Sequence, residues 1–347
     1  MVPGLAQDDE TLPRVGAFVE LRETRAVRTT CSELLQLAQA LLSKQRTFVY
    51  ACGGSHGVDT DGQSVMLCEV SRFDPKVGKW EPAPPMREPR TCATGAALGG
   101  YLYVCGGFRR ESTEAVASVE RFDPCAGRWE VVADMIAGRG GAGAASLGGR
   151  LFVCGGLNPT VSSVESFDPN VGVWEAAPSM LHWRAWPAVA AFSGRLYACG
   201  GFCDRRGSRE NLRVVESYAC GNDAWKEEPS MVEQRLRASA AVVGAKLYVC
   251  GGETSKAYTR SVEVFGHGEG WELLAAEMAD AHFGSFAAAM AGQLYILGGL
   301  VPAGERGPLD VSEIVESFDP DTFRWNAAPS GWDTRRRGAA MVAARAV

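Results

Sequence analysis

Cysteine, histidine and arginine are the residues here best able to do chemistry, and their spacing decides which chemistry is open to them. Five of the eleven cysteines, Cys52, Cys105, Cys154, Cys199 and Cys250, stand directly before a Gly-Gly pair, where a sixth copy has Leu297. Thiolates in a ring would suit a soft metal. However, zinc holds sulfur at about 2.3 Å, and face-packed sheets stand about 10 Å apart, so equivalent positions on neighbouring sheets cannot share an ion. Leu297 shows that the slot accepts an aliphatic side chain, and the thiols are expected as small buried hydrophobes. An odd cysteine count scattered through strand-like text suits a reducing compartment. The four histidines are His56, His182, His267 and His282, and none is paired at the spacing of a helical zinc site. The text also lacks GxSxG, HExxH and P-loop motifs. His56, His182 and His282 with Cys203 come nearest to a metal or catalytic constellation. No catalytic residue, metal ligand or cofactor is expected from them.

Arginine is abundant: six of the 35 basic residues are lysine, which leaves 29 arginines. Four of them recur in one pattern, Met-x-x-x-Arg, at Met86/Arg90, Met135/Arg139, Met180/Arg184 and Met231/Arg235. A fifth copy reads Met278/His282 and a sixth Gly331/Arg335.

That pattern is one part of a longer repeat. Glycine pairs recur at Gly53-Gly54, Gly106-Gly107, Gly155-Gly156, Gly200-Gly201, Gly251-Gly252 and Gly298-Gly299, each after a short apolar run. From Gly53 to Gly298 the five intervals span 245 residues, a mean period of 49. Val-x-x-aromatic follows each pair, as at Val119/Phe122, and a tryptophan comes six or seven residues later, at Trp80, Trp129, Trp174, Trp225, Trp271 and Trp325. Asp-Pro lies between the two in four copies, which is hairpin-turn chemistry. Four short strands per period are therefore expected. Strand A is rich in small residues, B runs into Gly-Gly, C carries Val-x-x-aromatic and D carries Trp. Four-stranded units of about 50 residues repeated several times signal an all-β propeller.

In its apolar run, Gly-Gly, aromatic and Trp the chain resembles the kelch-repeat family, in six copies over residues 47–347. The resemblance is to the propeller of BTB-kelch proteins, without a BTB domain, and it implies a six-bladed propeller that serves as a protein-binding platform. It further implies three roles: substrate-recognition adaptor of a cullin-RING ubiquitin ligase, actin-associated cytoskeletal scaffold, or, for some kelch enzymes, metal-dependent oxidase or lyase. A non-enzymatic interaction module is the expectation. The sixth copy ends in Gly338-Ala339-Ala340-Met341-Val342-Ala343, which reads as a strand A with no strand B after it. This segment is expected to supply the innermost strand of blade 1, leaving no orphan edge. Residues 1–46 lie outside the ring, with an apolar stripe at Leu34, Leu37, Ala38 and Leu41 that predicts a helix over 31–45.

Strand alternation puts the D–A and B–C loops on one face. On that face basic residues outnumber acidic ones, although the whole chain carries -6 at a pI near 5.5. A generally basic surface for nucleic acid is absent. No apolar run approaches the roughly 18 residues of a membrane span, and Asp8, Asp9 and Glu10 do not read as a secretory leader. The protein is expected in the cytoplasm, with the nucleus as the alternative. Three tryptophans outside the repeat position, Trp183, Trp186 and Trp332, fall in D–A loops of the basic face. Tryptophan and arginine are enriched in binding hot spots. The expected partner-binding set is Arg90, Arg109, Arg110, Arg139, Trp183, Arg184, Trp186, Arg205, Arg206, Arg209, Arg235, Trp332 and Arg335. Its expected partner is another protein, offering an acidic or phosphorylated segment. For the Met+4 arginines a second reading stands beside this one, in which each pairs within the fold with a once-per-blade acid such as Glu120, Glu165, Glu216, Glu263 or Glu316.

Overall fold

The computed structural model describes residues 47–58, 64–110, 114–157, 161–205, 208–303, 309–312, 314–329 and 336–345. The helix expected over 31–45 lies outside them. Six four-stranded antiparallel sheets form the blades. Strands A to D are Ala340–Arg345, Thr47–Cys52, Val70–Asp74 and Lys79–Ala83 in blade 1, then Thr94–Leu98, Tyr101–Cys105, Val119–Asp123 and Arg128–Val132 in blade 2. Blade 3 has Gly143–Leu147, Arg150–Cys154, Val164–Asp168 and Val173–Ala177; blade 4 has Ala188–Phe192, Arg195–Cys199, Val215–Tyr218 and Lys226–Glu228. Blade 5 has Ser239–Val243, Lys246–Cys250, Val262–Gly266 and Gly270–Leu273; blade 6 has Phe286–Met290, Gln293–Leu297, Ile314–Asp319 and Arg324–Pro329. The C-terminal segment closes the ring as expected, with Ala340 opposite Cys52 and Arg345 opposite Thr47.

Each strand's composition follows from its place in the blade. Strand A lies against the A strands of neighbouring blades, and small residues are needed there. A Cβ on Gly143 would come within 2.4 Å of Val189 in the next blade, and one on Gly95 within 2.6 Å of Val342. Strand B is buried on both faces. Its aromatic packs on the strand C aromatic of the following blade, as in Tyr103–Phe167 at 5.7 Å and Tyr197–Phe265 at 5.8 Å. The repeat tryptophan packs on its own blade's strand C aromatic, with centroids 5.1 Å apart for Phe122–Trp129. Its indole N–H also donates to a carbonyl of the preceding blade, Trp129 to Pro84 at 2.7 Å and Trp225 to Pro178 at 2.8 Å. One residue thus serves packing within a blade and fastening between blades.

The Gly-Gly pair answers to two constraints. Its first residue has φ between 61° and 66° in every blade, a left-handed conformation that glycine adopts without strain. A Cβ there would also strike backbone: on Gly106 it would lie 2.2 Å from the Arg139 carbonyl oxygen.

Candidate functional site

The Met-x-x-x-Arg arginines do not line a partner surface. Arg90, Arg139, Arg184 and Arg235 are among the most deeply buried side chains of the protein. Each leaves the D–A loop of one blade and reaches into the next. Arg184 Nη1 donates to the carbonyls of Gly200 and Val214 at 2.9 and 3.0 Å, while Nη2 lies 2.6 Å from Glu216 Oε1. The pairs Arg90–Glu120, Arg139–Glu165 and Arg235–Glu263 repeat the arrangement at 3.0, 2.8 and 3.0 Å. Each carboxylate also accepts backbone N–H groups from the D–A loop, as Glu165 does from Ile136 and Ala137. Buried carboxylate oxygens need such donors to offset the water they have lost. The pairing within the fold therefore holds for these four, and the expectation that they meet a partner is corrected.

Blades 6 and 1 vary the scheme. In the fifth copy the His282 ring nitrogens lie 3.0 Å from the Gly298 carbonyl and 2.8 Å from Glu316, spanning the acceptors that a guanidinium spans elsewhere. Burial pushes the Glu316 carboxyl up, and hydrogen bonds from His282 and the N–H groups of Ala279 and Asp280 more than offset it, leaving it below its ordinary value. In the sixth copy the repeat position is held by Arg336, four residues before strand A, and not by Arg335. Arg336 donates to Ser71 Oγ at 3.0 Å and to the Glu69 carbonyl at 2.9 Å, with Ser71 where the other blades have glutamate.

The cysteines before Gly-Gly behave as buried hydrophobes. Cys52, Cys105, Cys154, Cys199 and Cys250 are fully buried, and desolvation raises each thiol from 9.0 to about 12. These thiols are protonated in the folded state where unfolded ones have begun to ionise. Their contribution to stability is complete below the unfolded value and is lost as pH rises through the folded one. Urea midpoints are accordingly expected to fall as pH rises from 9 toward 11. A thiol reagent at pH 8 should spare all five until denaturant is added; rapid labelling of native protein would contradict this placement. Among the described residues no three His, Cys, Asp or Glu side chains converge as metal ligands. The structure does not gather His56, His182, His282 and Cys203 into such a group.

What the face does offer lies at two radii. Near the axis, six D–A loops each place one residue, two positions before strand A, in the left-handed region. These are Cys92, Gly141, Trp186, Arg237, Gly284 and Gly338, with φ from 48° to 67°. Backbone bonds link neighbours around the channel mouth: Cys92 N–H to Gly338, Gly141 to Cys92, Trp186 to Gly141 and Gly284 to Arg237. Two of these ring members, Trp186 and Arg237, belong to a ladder of aromatic and cationic groups across blades 4 and 5. Arg209 lies 5.4 Å from the Phe202 ring, and Phe202 stacks on Trp186 at 5.5 Å. Arg237 sits 4.0 Å over Trp186 and 5.1 Å from Phe283, which meets Tyr258 edge-on at 5.2 Å. Burial holds the Arg237 guanidinium below its ordinary value.

Farther out, Ile136, Leu181, Trp183 and Val232 form an exposed apolar arc on three successive D–A loops, 64%, 51%, 49% and 53% accessible. Ile136, Leu181 and Val232 each follow the repeat methionine directly. Their N–H groups are bound to the buried glutamates, which leaves the side chains pointing outward. Of the remaining expected residues, Arg109 pairs with Glu88 and donates to Ser118 at 2.9 Å, and Arg110 is exposed. Arg205 pairs by its backbone with Ser208 in the short hairpin Phe202–Arg205/Ser208–Asn211. Arg206, Trp332 and Arg335 lie outside the described residues. The site residues missed from sequence are Phe202, Arg237, Phe283 and, in the apolar arc, Ile136, Leu181 and Val232; Trp183 of the arc was expected. Glycine at three of the six ring positions was the available signal for a left-handed ring.

The Kelch motif family model matches residues 49–87, 89–136, 138–181, 186–232 and 234–265, more than half of the chain. Kelch-like protein 13 of Homo sapiens is 42% identical over 60 residues, which is 17% of this chain and 9% of that protein. Kelch-like protein 30 of Homo sapiens is 42% identical over 59 residues, 17% of this chain and 10% of that protein. The match thus spans about a tenth of the length of these curated relatives. Among solved structures, YjhT superposes with a TM-score of 0.63 over 80% of this chain and 96% of its own, at 16% identity, a likeness of fold alone. With five family-model matches laid along six blades of one design, this chain belongs to the Kelch motif family.

Proposed function

We propose that this kelch propeller is a non-enzymatic interaction module that binds another protein through its D–A/B–C face. The observation that supports it is the apolar arc of Ile136, Leu181, Trp183 and Val232, set outward on adjacent blades by the buried Arg–Glu modules beneath. Large apolar side chains left exposed together on one face are the kind of surface that marks an interaction site. The exposed cations Arg110, Arg209 and Arg213 on the same face favour a partner segment bearing Asp, Glu or phosphate, through charge-assisted hydrogen bonds. Within this reading the protein acts in the cytoplasm, and the first assembly to test is a cullin-RING ubiquitin ligase, with an actin-associated scaffold second.

The test is affinity capture followed by mass spectrometry, comparing the intact chain with Leu181→Asp/Trp183→Ala and with Lys246→Glu, which lies on the opposite face. Partners retained by the intact chain should be lost with the first variant and kept with the second, because a central apolar anchor can carry about 2 kcal/mol or more of binding. Retention by the arc variant with loss by the Lys246 variant would place binding on the other face.

A further inference from the structure

The ladder that holds Arg237 divides the mouth of the central channel into two cavities. One, of about 520 Å³, lies over the axis and is walled by Met66, Cys92, Trp186, Phe283 and Leu300 with Arg237 at its edge. The other, of about 240 Å³, lies outward over Phe202, Leu236 and Glu253. The axial cavity is within the range that small molecules occupy, about 300–1,000 Å³, and apolar groups make up much of its wall, with Arg237 and Arg337 as its charged members. Three of the six ring positions at this mouth carry glycine, and at Gly141 the Trp186 indole occupies the place a Cβ would take.

The state of Arg237 indicates what would enter. Its guanidinium carbon lies over two aromatic rings, 4.0 Å from the Trp186 centroid and 5.1 Å from that of Phe283. No hydrogen bond or ion pair to its guanidinium occurs among the described residues. Glu253 acts on it electrostatically without an ion pair among the described residues. This contrasts with the repeat arginines, whose terminal nitrogens are bound by carbonyls and a carboxylate. A guanidinium carries all its N–H donors in its plane, so stacking leaves them free at the edge, where a carboxylate docks with two parallel bonds. The aromatic faces also prevent the side chain from swinging away to find another partner.

We propose that the axial cavity is a binding site for a free organic monocarboxylate with a flat or linear apolar body, its carboxylate on the edge of Arg237 and its body against Met66, Phe283 and Leu300. The site is distinct from the apolar arc used for protein binding, and the two readings fail separately.

The experiment is ligand-observed NMR and calorimetry on the full chain with 2-naphthoate, indole-3-acetate and octanoate, each paired with its uncharged amide. At least one acid should bind at a single site, with its amide weaker by about tenfold or more, as expected for loss of a charge-assisted pair. Arg237→Gln should abolish that discrimination, and Lys246→Glu, on the opposite face, should leave it intact. Melting curves of both variants confirm that the fold persists; should Arg237→Gln melt early, Met66→Trp, which fills the cavity, takes its place and should block binding. Equal affinity for acid and amide, no binding by any of the three acids at millimolar concentration, or discrimination that survives Arg237→Gln would overturn the proposal. An acetylated, amidated peptide with one internal glutamate serves as the competing source of carboxylate. Arg237-dependent binding of that peptide more tightly than every free acid would likewise overturn the assignment to a small molecule.

Discussion

Arg184→Met is expected to lower the unfolding free energy by about 3–5 kcal/mol, the range found when one partner of a buried ion pair is removed. The replacement is of similar bulk, so packing changes little and electrostatics dominates. Without the guanidinium, the carbonyls of Gly200 and Val214 lose a donor. Glu216, fully buried, keeps the backbone N–H groups of Leu181 and His182, with the His182 ring 3.9 Å away. Its carboxylate then lies in a low-dielectric interior without the guanidinium that faced it. The companion Arg184→Met/Glu216→Gln should lose less than the single variant, because an amide oxygen still accepts those two N–H groups and carries no charge. Urea titrations followed by tryptophan fluorescence measure both. A single-variant loss below about 1 kcal/mol, the level of an exposed ion pair, would mean that Arg184 is not buried as described. Were it a partner-contacting residue at the surface, stability would hardly change and only binding would suffer.

That contrast shows where sequence reading reached and where it stopped. The blades were legible because each repeated residue answers to a local demand that recurs: a left-handed glycine pressed on a carbonyl at Gly106, and an indole that fastens neighbouring blades at Trp129. The repeat arginines were equally visible, but periodicity does not tell which way a side chain points from a loop. The deciding sign was a second residue with the same period, the glutamate after the strand C valine at Glu120, Glu165, Glu216, Glu263 and Glu316. Two charges that recur together and with opposite sign form a pair within the fold more readily than a surface for a stranger. In the sixth copy the methionine is missing, the count slipped by one, and Arg335 was taken for Arg336. The ladder through Phe202, Trp186, Arg237 and Phe283 was not legible at all. It joins residues from different loops through backbone at φ of 48° and 55° at Trp186 and Arg237, a conformation non-glycine residues seldom adopt.

Removing residues 338–347 is expected to have the larger effect of the two, because it takes out an element of the ring and not one side chain. Ala340–Arg345 is strand A of blade 1, paired with Thr47–Cys52 along its whole length. Ala340, Val342 and Ala344 are buried in the cluster that holds Phe48, Tyr50 and Phe122, so the deletion exposes the cores of blades 1 and 2 together. Gly338 also supplies the carbonyl that holds the Cys92 N–H in the channel-mouth ring. Loss of a strand's ladder bonds with three buried side chains amounts to about 5 kcal/mol or more, comparable with the whole stability of many domains. The truncated chain should therefore melt broadly and well below the intact one in scanning calorimetry. It should also associate as concentration rises, since Thr47–Cys52 becomes an open, apolar strand edge that a second chain can pair with. Adding a synthetic peptide of residues 338–347 in excess should sharpen the melt and suppress the association, by filling the vacant place in blade 1. A truncated chain that melts as a monomer at the temperature of the intact protein would show that blade 1 stands on three strands and that the ring does not depend on its C-terminal strand for closure.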